Sequence, residues 1–327
     1  MVLRIRKTVI VRLHWIAAVV LLSVVPALCF TRCGTGRNHS EIVPLKVSDG
    51  ALCDGQGKKV QLRGVSTHGI AWYGEYLNAG AMQSVRDAGG NVIRIAMYTA
   101  GEEGYVLDPE MNLERVFSGI EDAAAAGLYV IVDWHILQDG DPNEHLAEAI
   151  TFFDAVASGY GDLPNILYEI CNEPSGVSWD SIKEYAHAVI PVIRRYDADA
   201  VILLGMPDYS TQLSYGWIDP FPDDNLLYTF HYYAGEHRNF GMLKEAVERG
   251  IPVFVSEWGV GEEGIGDGEA FADYLWENGI SWCAWSLCNK DEPYSLIRSD
   301  VTELGGWKSD DLTECGRMIF KELGRKR

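Results

Sequence analysis

The chain has no Cys-x-x-Cys pair, no Gly-x-Gly-x-x-Gly turn after its first strand-like run, no Pro/Ser-rich linker and little positive charge. The first absence argues against a structural zinc site. The second argues against a dinucleotide-binding open sheet, although a doubly wound sheet stays open as an alternative. The third leaves no internal domain boundary, so one domain without an appended module is expected. Seven cysteines are present, but Cys29 and Cys33 lie in or beside an apolar N-terminal run. The remaining Cys53, Cys171, Cys283, Cys288 and Cys315 are odd in number and lack a disulfide-framework spacing. Cys171 and Cys283 fall within apolar strand patterns, where a buried thiol is the expectation.

The shortage of positive charge is sharper than the totals suggest. There are 27 basic and 47 acidic residues, and Arg4, Arg6, Lys7, Arg12 and Arg32 all precede Gly34 in a stretch without an acid. Without those five, 22 basic residues face 47 acidic ones, a net charge of −25. Such a surface repels nucleic acid and anionic membranes and suits a neutral substrate such as a polysaccharide.

Basic residues from Arg4 to Arg12 precede an apolar run from Leu13 to Phe30, broken by His14 and Pro26. This is the pattern of a secretory leader. An uncleaved membrane anchor is the alternative, since the run is near the length that spans a bilayer. The expected organisation is a leader or anchor over 1–33, a short linker over 34–46 and a catalytic domain over 47–327, secreted or anchored with its catalytic domain outside the cell.

Beyond that start, apolar runs and helical patterns alternate. Strand-like runs occur at 60–66, 91–98, 128–135, 166–173, 201–205, 226–233, 252–258 and 280–287. Amphipathic stretches separate them, such as Leu113, Val116, Phe117 and Ile120 at helical spacing, and Gly127, Gly250 and Gly279 stand where helix C-caps are expected. Eight strand–helix units in this length predict a closed (β/α)8 TIM barrel in one domain.

Such barrels carry their chemistry at the C-terminal ends of the strands, and polar residues collect there: Arg94 and Tyr98, Asp133-Trp134-His135, Asn172-Glu173-Pro174, His231-Tyr232-Tyr233, Ser256-Glu257-Trp258-Gly259 and Trp285. Side-chain alternation groups Val253, Val255 and Glu257 on one face, placing Glu257 above an inward apolar column. Hydrolysis of a glycosidic bond needs two carboxyl groups flanking it, and Glu173 and Glu257 are the best pair available. Alternation cannot turn both Asn172 and Glu173 inward, so a bulge or turn is expected there.

Arg94, His135, Asn172-Glu173-Pro174, His231-x-Tyr233, Glu257 and Trp285, in this order, resemble glycoside hydrolase family 5 of clan A. The resemblance is nearest to its bacterial endo-β-1,4-glucanase (cellulase) branch. Ser66-Thr67-His68-Gly69-x-x-Trp72, Tyr168-Glu169-Ile170-x-Asn172-Glu173, Phe230-His231-x-Tyr233-Ala234-Gly235 and Trp285-Ser-Leu-x-x-Lys290-Asp-Glu292 also match it. It implies retaining hydrolysis of β-glucan with Glu173 as acid/base and Glu257 as nucleophile. Arg94 and Tyr233 would hold Glu257, His231 would orient Glu173, Asn172 would take the sugar 2-OH and His135 would position hydroxyls. His68, Trp72, Tyr98, Tyr209, Trp285, Lys290 and Glu292 would bind sugar. Tyr209 stands where the branch commonly places a tryptophan, which makes it a weaker platform. The mechanism calls for no cofactor or metal and no obligatory protein partner, and a monomer is expected.

Rival readings remain. A metal-dependent hydrolase would draw on His68, His135 and His231, but lacks a His-x-His pair on the first strand. A phosphate-substrate enzyme would need a phosphate site where Gly261-Glu262-Glu263-Gly264 is acidic. A non-catalytic carbohydrate-binding protein would not need both glutamates and Arg94. Mixed-linkage glucan, mannan, xylan or xyloglucan could replace cellulose.

Overall fold

A computed structural model describes residues 42–237 and 239–326. The expected leader over 1–33 and most of the expected linker lie outside these residues. Among the described residues no helix is long and apolar enough to cross a membrane.

Ten strands are present among the described residues. A hairpin of β1 (Leu45–Ser48) and β2 (Ala51–Asp54) comes first. Its Asp49-Gly50 turn has both residues at positive φ, +50° and +71°, the geometry of a tight hairpin turn. Eight parallel strands then close into a barrel: β3 (Arg63–Thr67), β4 (Val92–Tyr98), β5 (Tyr129–His135), β6 (Ile166–Glu169), β7 (Val201–Leu204), β8 (Leu226–Ala234), β9 (Val253–Val260) and β10 (Ser281–Leu287). Each starts within about three residues of its sequence expectation. This is the (β/α)8 architecture, with helices such as Pro109–Ala126, Trp179–Arg194 and Ile265–Asn278 around the outside.

The helix boundaries follow local chemistry. Asp108 caps Pro109–Ala126 by accepting from the Met111 amide, with Pro109 in the first turn, and Gly127 closes the helix at φ +72°. Gly279 closes Ile265–Asn278 in the same way. The fifth unit departs from expectation: between β7 and β8 only two single-turn helices occur, Pro207–Ser210 and Tyr215–Ile218.

Two apolar layers hold the barrel. Between sheet and helices lie residues such as Ile93, Ile95, Val130, Val132, Ile202 and Val255. Inside the floor of the barrel, Leu62, Val92, Ile131, Leu167, Leu203, Leu227, Phe254 and Cys283 meet Leu45 and Leu52 of the hairpin. Burying one such leucine contributes about 1.5–3 kcal/mol. Cys53, Cys171, Cys283, Cys288 and Cys315 are all free and buried, as expected for Cys171 and Cys283.

Two local expectations are corrected. Regular pairing of β6 stops at Glu169 rather than 173, so Asn172 and Glu173 lie on the turn required of that strand end. On β9 the register slips: Phe254 pairs with Thr229, but Glu257 pairs with His231. Three steps on β9 therefore match two on β8, a bulge that reverses the side-chain order. Phe254 points into the barrel while Val253 and Val255 face the helices. The expected column of Val253, Val255 and Glu257 does not exist; the bulge brings both Ser256 and Glu257 inward.

Candidate active site

Above the apolar floor, one inward step along β4, β5 and β6 changes the chemistry. Arg94 follows Val92, Asp133 follows Ile131 and Glu169 follows Leu167, and all three polar groups are fully buried. Arg94 is the hub. Its Nε donates to Glu169 Oε2 at 2.6 Å, and Nη1 donates to Glu257 Oε2 at 3.0 Å and Ser66 Oγ at 3.3 Å. Its Nη2 donates to Asn172 Oδ1 at 2.6 Å and lies 3.0 Å from Asp133 Oδ2. Burial opposes the guanidinium charge, but Asp133, Glu169 and Glu257 together hold its pKa well above the usual value.

Glu257 sits near the end of β9, and its other oxygen accepts from the Tyr233 hydroxyl at 2.5 Å. Burial, then the Glu257 charge and this bond, push the Tyr233 phenol well up, so it stays a donor. The Tyr233 ring is backed by Tyr294, centroids 4.7 Å apart, and the Tyr294 hydroxyl bonds Glu236. Gly259 permits this packing, since a Cβ there would come 2.7 Å from the Tyr233 ring and 2.9 Å from Tyr294.

Glu173 Oε1 bonds His231 Nδ1 at 2.7 Å, while His231 Nε2 lies 3.0 Å from Ser256 Oγ. Burial works against charge on His231, but the nearby carboxylates of Glu257, Glu169 and Glu173 raise it to about 10. His135 is the opposite case. Burial and then Arg94 lower it to about 3, so it is neutral, with Nδ1–H donating to Asp133 Oδ2 at 2.6 Å. Asn172 is fully buried, with its amide nitrogen on the Ile136 carbonyl at 3.0 Å and 3.3 Å from His135 Nε2. A sugar hydroxyl reaching Asn172 would therefore compete with the longer His135 contact.

One oxygen from each of Glu173 and Glu257 comes within 4.8 Å of the other, with His231 Nδ1 or Nε2 inside the same limit. Three such groups can bracket a cation. Here both ring nitrogens of His231 already serve Glu173 and Ser256, so a metal ion would have to displace a proton from that arrangement.

The expected sugar-binding residues fall into two groups. His68 is nearly parallel to Tyr98 and tilted at 44° to Trp285, and His135 lies nearly parallel to Trp285 at 5.4 Å. Burial lowers His68 to about 4, against the pull of Glu292. Lys290 bonds Glu292 at 2.6 Å and approaches His68 Nε2 at 3.3 Å, so these two loop residues are tied to the site. Trp285 is only 7% exposed, whereas Trp72 and Tyr209 are 40% and 54% exposed. Trp72 lies in a single-turn helix (Ile70–Tyr73) beyond the end of β3, and Tyr209 follows β7. These strands stand opposite each other in the closed ring, so the two open aromatic faces flank the mouth. Tyr209 is held in a left-handed run with Asp208 and Ser210, φ +54° to +59°. Its amide bonds the Pro174 carbonyl and the Ser210 hydroxyl bonds the Asn172 carbonyl. The strained turn is thereby fastened to the segment carrying Glu173.

Glu169 and the Tyr294–Glu236 contact were not expected as part of the site, and Ser256 was expected at this strand end without a role. Glu169 was legible in principle: it occupies an inward position above Leu167, where a lone acid needs a partner.

The family description "Cellulase (glycosyl hydrolase family 5)" matches residues 53–291. Endoglucanase A of Butyrivibrio fibrisolvens is 42% identical over 297 residues, which cover 86% of this chain and 68% of that protein. An endoglucanase of Clostridium saccharobutylicum is 37% identical, with 91% and 70% covered. The chain thus spans about two thirds of these relatives' length. Among solved structures, the catalytic domain of Thermobifida fusca endoglucanase Cel5A superposes with a TM-score of 0.81 at 36% identity, covering 86% of this chain and 97% of that one. A variant of that domain has been solved in complex with cellotetraose. The barrel, the order of the site residues and these likenesses agree: the chain belongs to glycosyl hydrolase family 5.

Proposed function

We propose that this protein is an endo-acting β-1,4-glucanase that cleaves cellulose or a related β-glucan with retention, using Glu257 as nucleophile and Glu173 as acid/base. The observation that carries the reading is the approach of the two carboxylates within 4.8 Å. That suits direct attack on the anomeric carbon, for which carboxyl groups stand about 5–5.5 Å apart, and is too close for the intervening water of inversion. Arg94 and Tyr233 hold Glu257 by one oxygen each. They hold it aimed, so that a carboxylate lone pair of Glu257 can form the glycosyl bond as the leaving oxygen departs. Glu173, bonded to His231, protonates the leaving oxygen and then takes a proton from the incoming water. His135 and Asn172 position hydroxyls around the bond. Trp72 and Tyr209, open on opposite sides of the mouth, provide faces for sugar rings upstream and downstream of the cut. That arrangement supports endo action. The endoglucanase names of the relatives and the cellotetraose complex of the Thermobifida fusca domain support a β-glucan substrate. We further propose that the enzyme is exported by its basic-then-apolar N-terminus and acts as a monomer.

The test is hydrolysis of carboxymethylcellulose, barley β-glucan, mannan and xylan side by side by wild type, Glu173→Ala and Glu257→Ala. Both variants are expected to lose several orders of magnitude on the preferred glucan. Azide should rescue Glu257→Ala as a glycosyl azide of inverted configuration. Rescue with retained configuration, or none, would overturn the nucleophile assignment.

A further inference from the structure

Behind the two carboxylates lie buried groups that the proposed chemistry does not use. Glu169 is fully buried. Its Oε2 accepts from Arg94 Nε at 2.6 Å, and its Oε1 accepts from the Ser256 hydroxyl at 2.6 Å. Ser256 Oγ lies 3.0 Å from His231 Nε2, and His231 Nδ1 lies 2.7 Å from Glu173 Oε1. Since Arg94 also donates to Glu257, an unbroken path of hydrogen bonds joins the two catalytic carboxylates through the barrel interior: Glu257, Arg94, Glu169, Ser256, His231, Glu173.

The direction of each bond follows from what the groups can do. Arg94 can only donate, and an ionised Glu169 can only accept. The Ser256 proton is therefore turned toward Glu169, which leaves a Ser256 lone pair for His231. His231 must then carry a proton on Nε2, and its Nδ1 edge faces Glu173 with one further proton between them. Glu169 fits the acceptor role: burial opposes its charge, but Arg94 and His231 hold it at about 2. The other ionisable groups around the ring are Glu257, Asp133, Arg94 and His237.

We propose that Glu169 and Ser256 are positioning residues that fix the Nε2–H form of His231 and raise the proton affinity of the His231–Glu173 pair, so that the acid stays loaded toward alkaline pH. The pair titrates as a unit, so its response to a lost partner has one sign. Removing the buried anion, or the hydroxyl that relays it, makes the shared proton easier to lose.

The inference rests on reading Glu173 as the acid, and its test is the pH profile of kcat/KM, which reports the free enzyme. Ser256→Ala is expected to move the alkaline limb down by about one pH unit, the lower end of what a neighbouring charge does, and to leave the acidic limb in place. Ser256→Thr keeps the hydroxyl and should keep the wild-type limb. Glu169→Gln should move both limbs down, because Arg94 is then less neutralised and holds Glu257 more strongly as an anion. A Ser256→Ala profile scaled down with neither limb shifted, in protein whose melting temperature matches Ser256→Thr, would reduce the path to scaffolding and overturn the proposal. The two readings fail separately. Retained activity in Glu173→Ala sinks the acid assignment, whereas an inactive Glu173→Ala beside an unmoved Ser256→Ala limb sinks only this inference.

Discussion

The lower and upper halves of the barrel interior are built on the same strands and held together by different physics. In the floor, Val92, Ile131, Leu167, Leu203, Leu227 and Phe254 pack by shape. One inward step higher, Arg94, Asp133 and Glu169 are equally buried but are held by charge and directed hydrogen bonds. A floor residue can be trimmed and the loss scales with the cavity left behind. A group in the upper layer has partners that cannot be left alone, because a buried charge without its counter-charge is far more costly than a void.

The harshest way to break this contrast is Arg94→Met, which leaves Asp133, Glu169 and Glu257 without their shared cation. It should cost about 3–5 kcal/mol in urea unfolding and abolish hydrolysis. A loss under about 1 kcal/mol would mean that the upper layer is no more demanding than the floor. Leu203→Ala, in the fully buried floor, should cost about 3 kcal/mol by the same measurement, with kcat/KM per folded molecule unchanged; lost activity would show that the layers are coupled. The last contrast is in the pH slope of stability, which changes by at most about 1.4 kcal/mol per pH unit for one group. His231 is raised from 6.5 to about 10, so its contribution is complete below about pH 6.5 and is lost as pH climbs toward 10. Unfolding free energies across that window should fall less steeply in His231→Gln than in wild type, while Leu203→Ala keeps the wild-type slope. Equal slopes in all three would remove the electrostatic distinction.

The sequence makes the floor and the barrel legible because both rest on periodicity. Apolar runs of strand length, separated by amphipathic helices ending in Gly127 and Gly279, leave few other ways to bury the chain. The ends of the strands are legible for a related reason: Arg94, Glu173, His231 and Glu257 interrupt apolar runs where an isolated charge would be expensive. Periodicity does not reveal a register slip. The bulge on β9 depends on how Ser256 and Glu257 meet strands far away in sequence, so strict alternation assigns Val253 and Val255 to the wrong face. The role of Glu169 is hidden similarly, since its partners Arg94 and Ser256 are 75 and 87 positions away. The hairpin is a different case. Asp49-Gly50 does carry a turn signal, but four-residue strands are too short to stand out by pattern.

That hairpin closes the base of the barrel, with Leu45 and Leu52 set against the apolar floor and the Tyr129 hydroxyl bonded to the Val43 carbonyl. Among the described residues the base of the barrel is therefore filled, and the buried charged layer opens at the C-terminal ends of the strands. In the proposed reaction the chain to be cut, the departing fragment and the water that completes hydrolysis all meet the two carboxylates on that face, away from the hairpin.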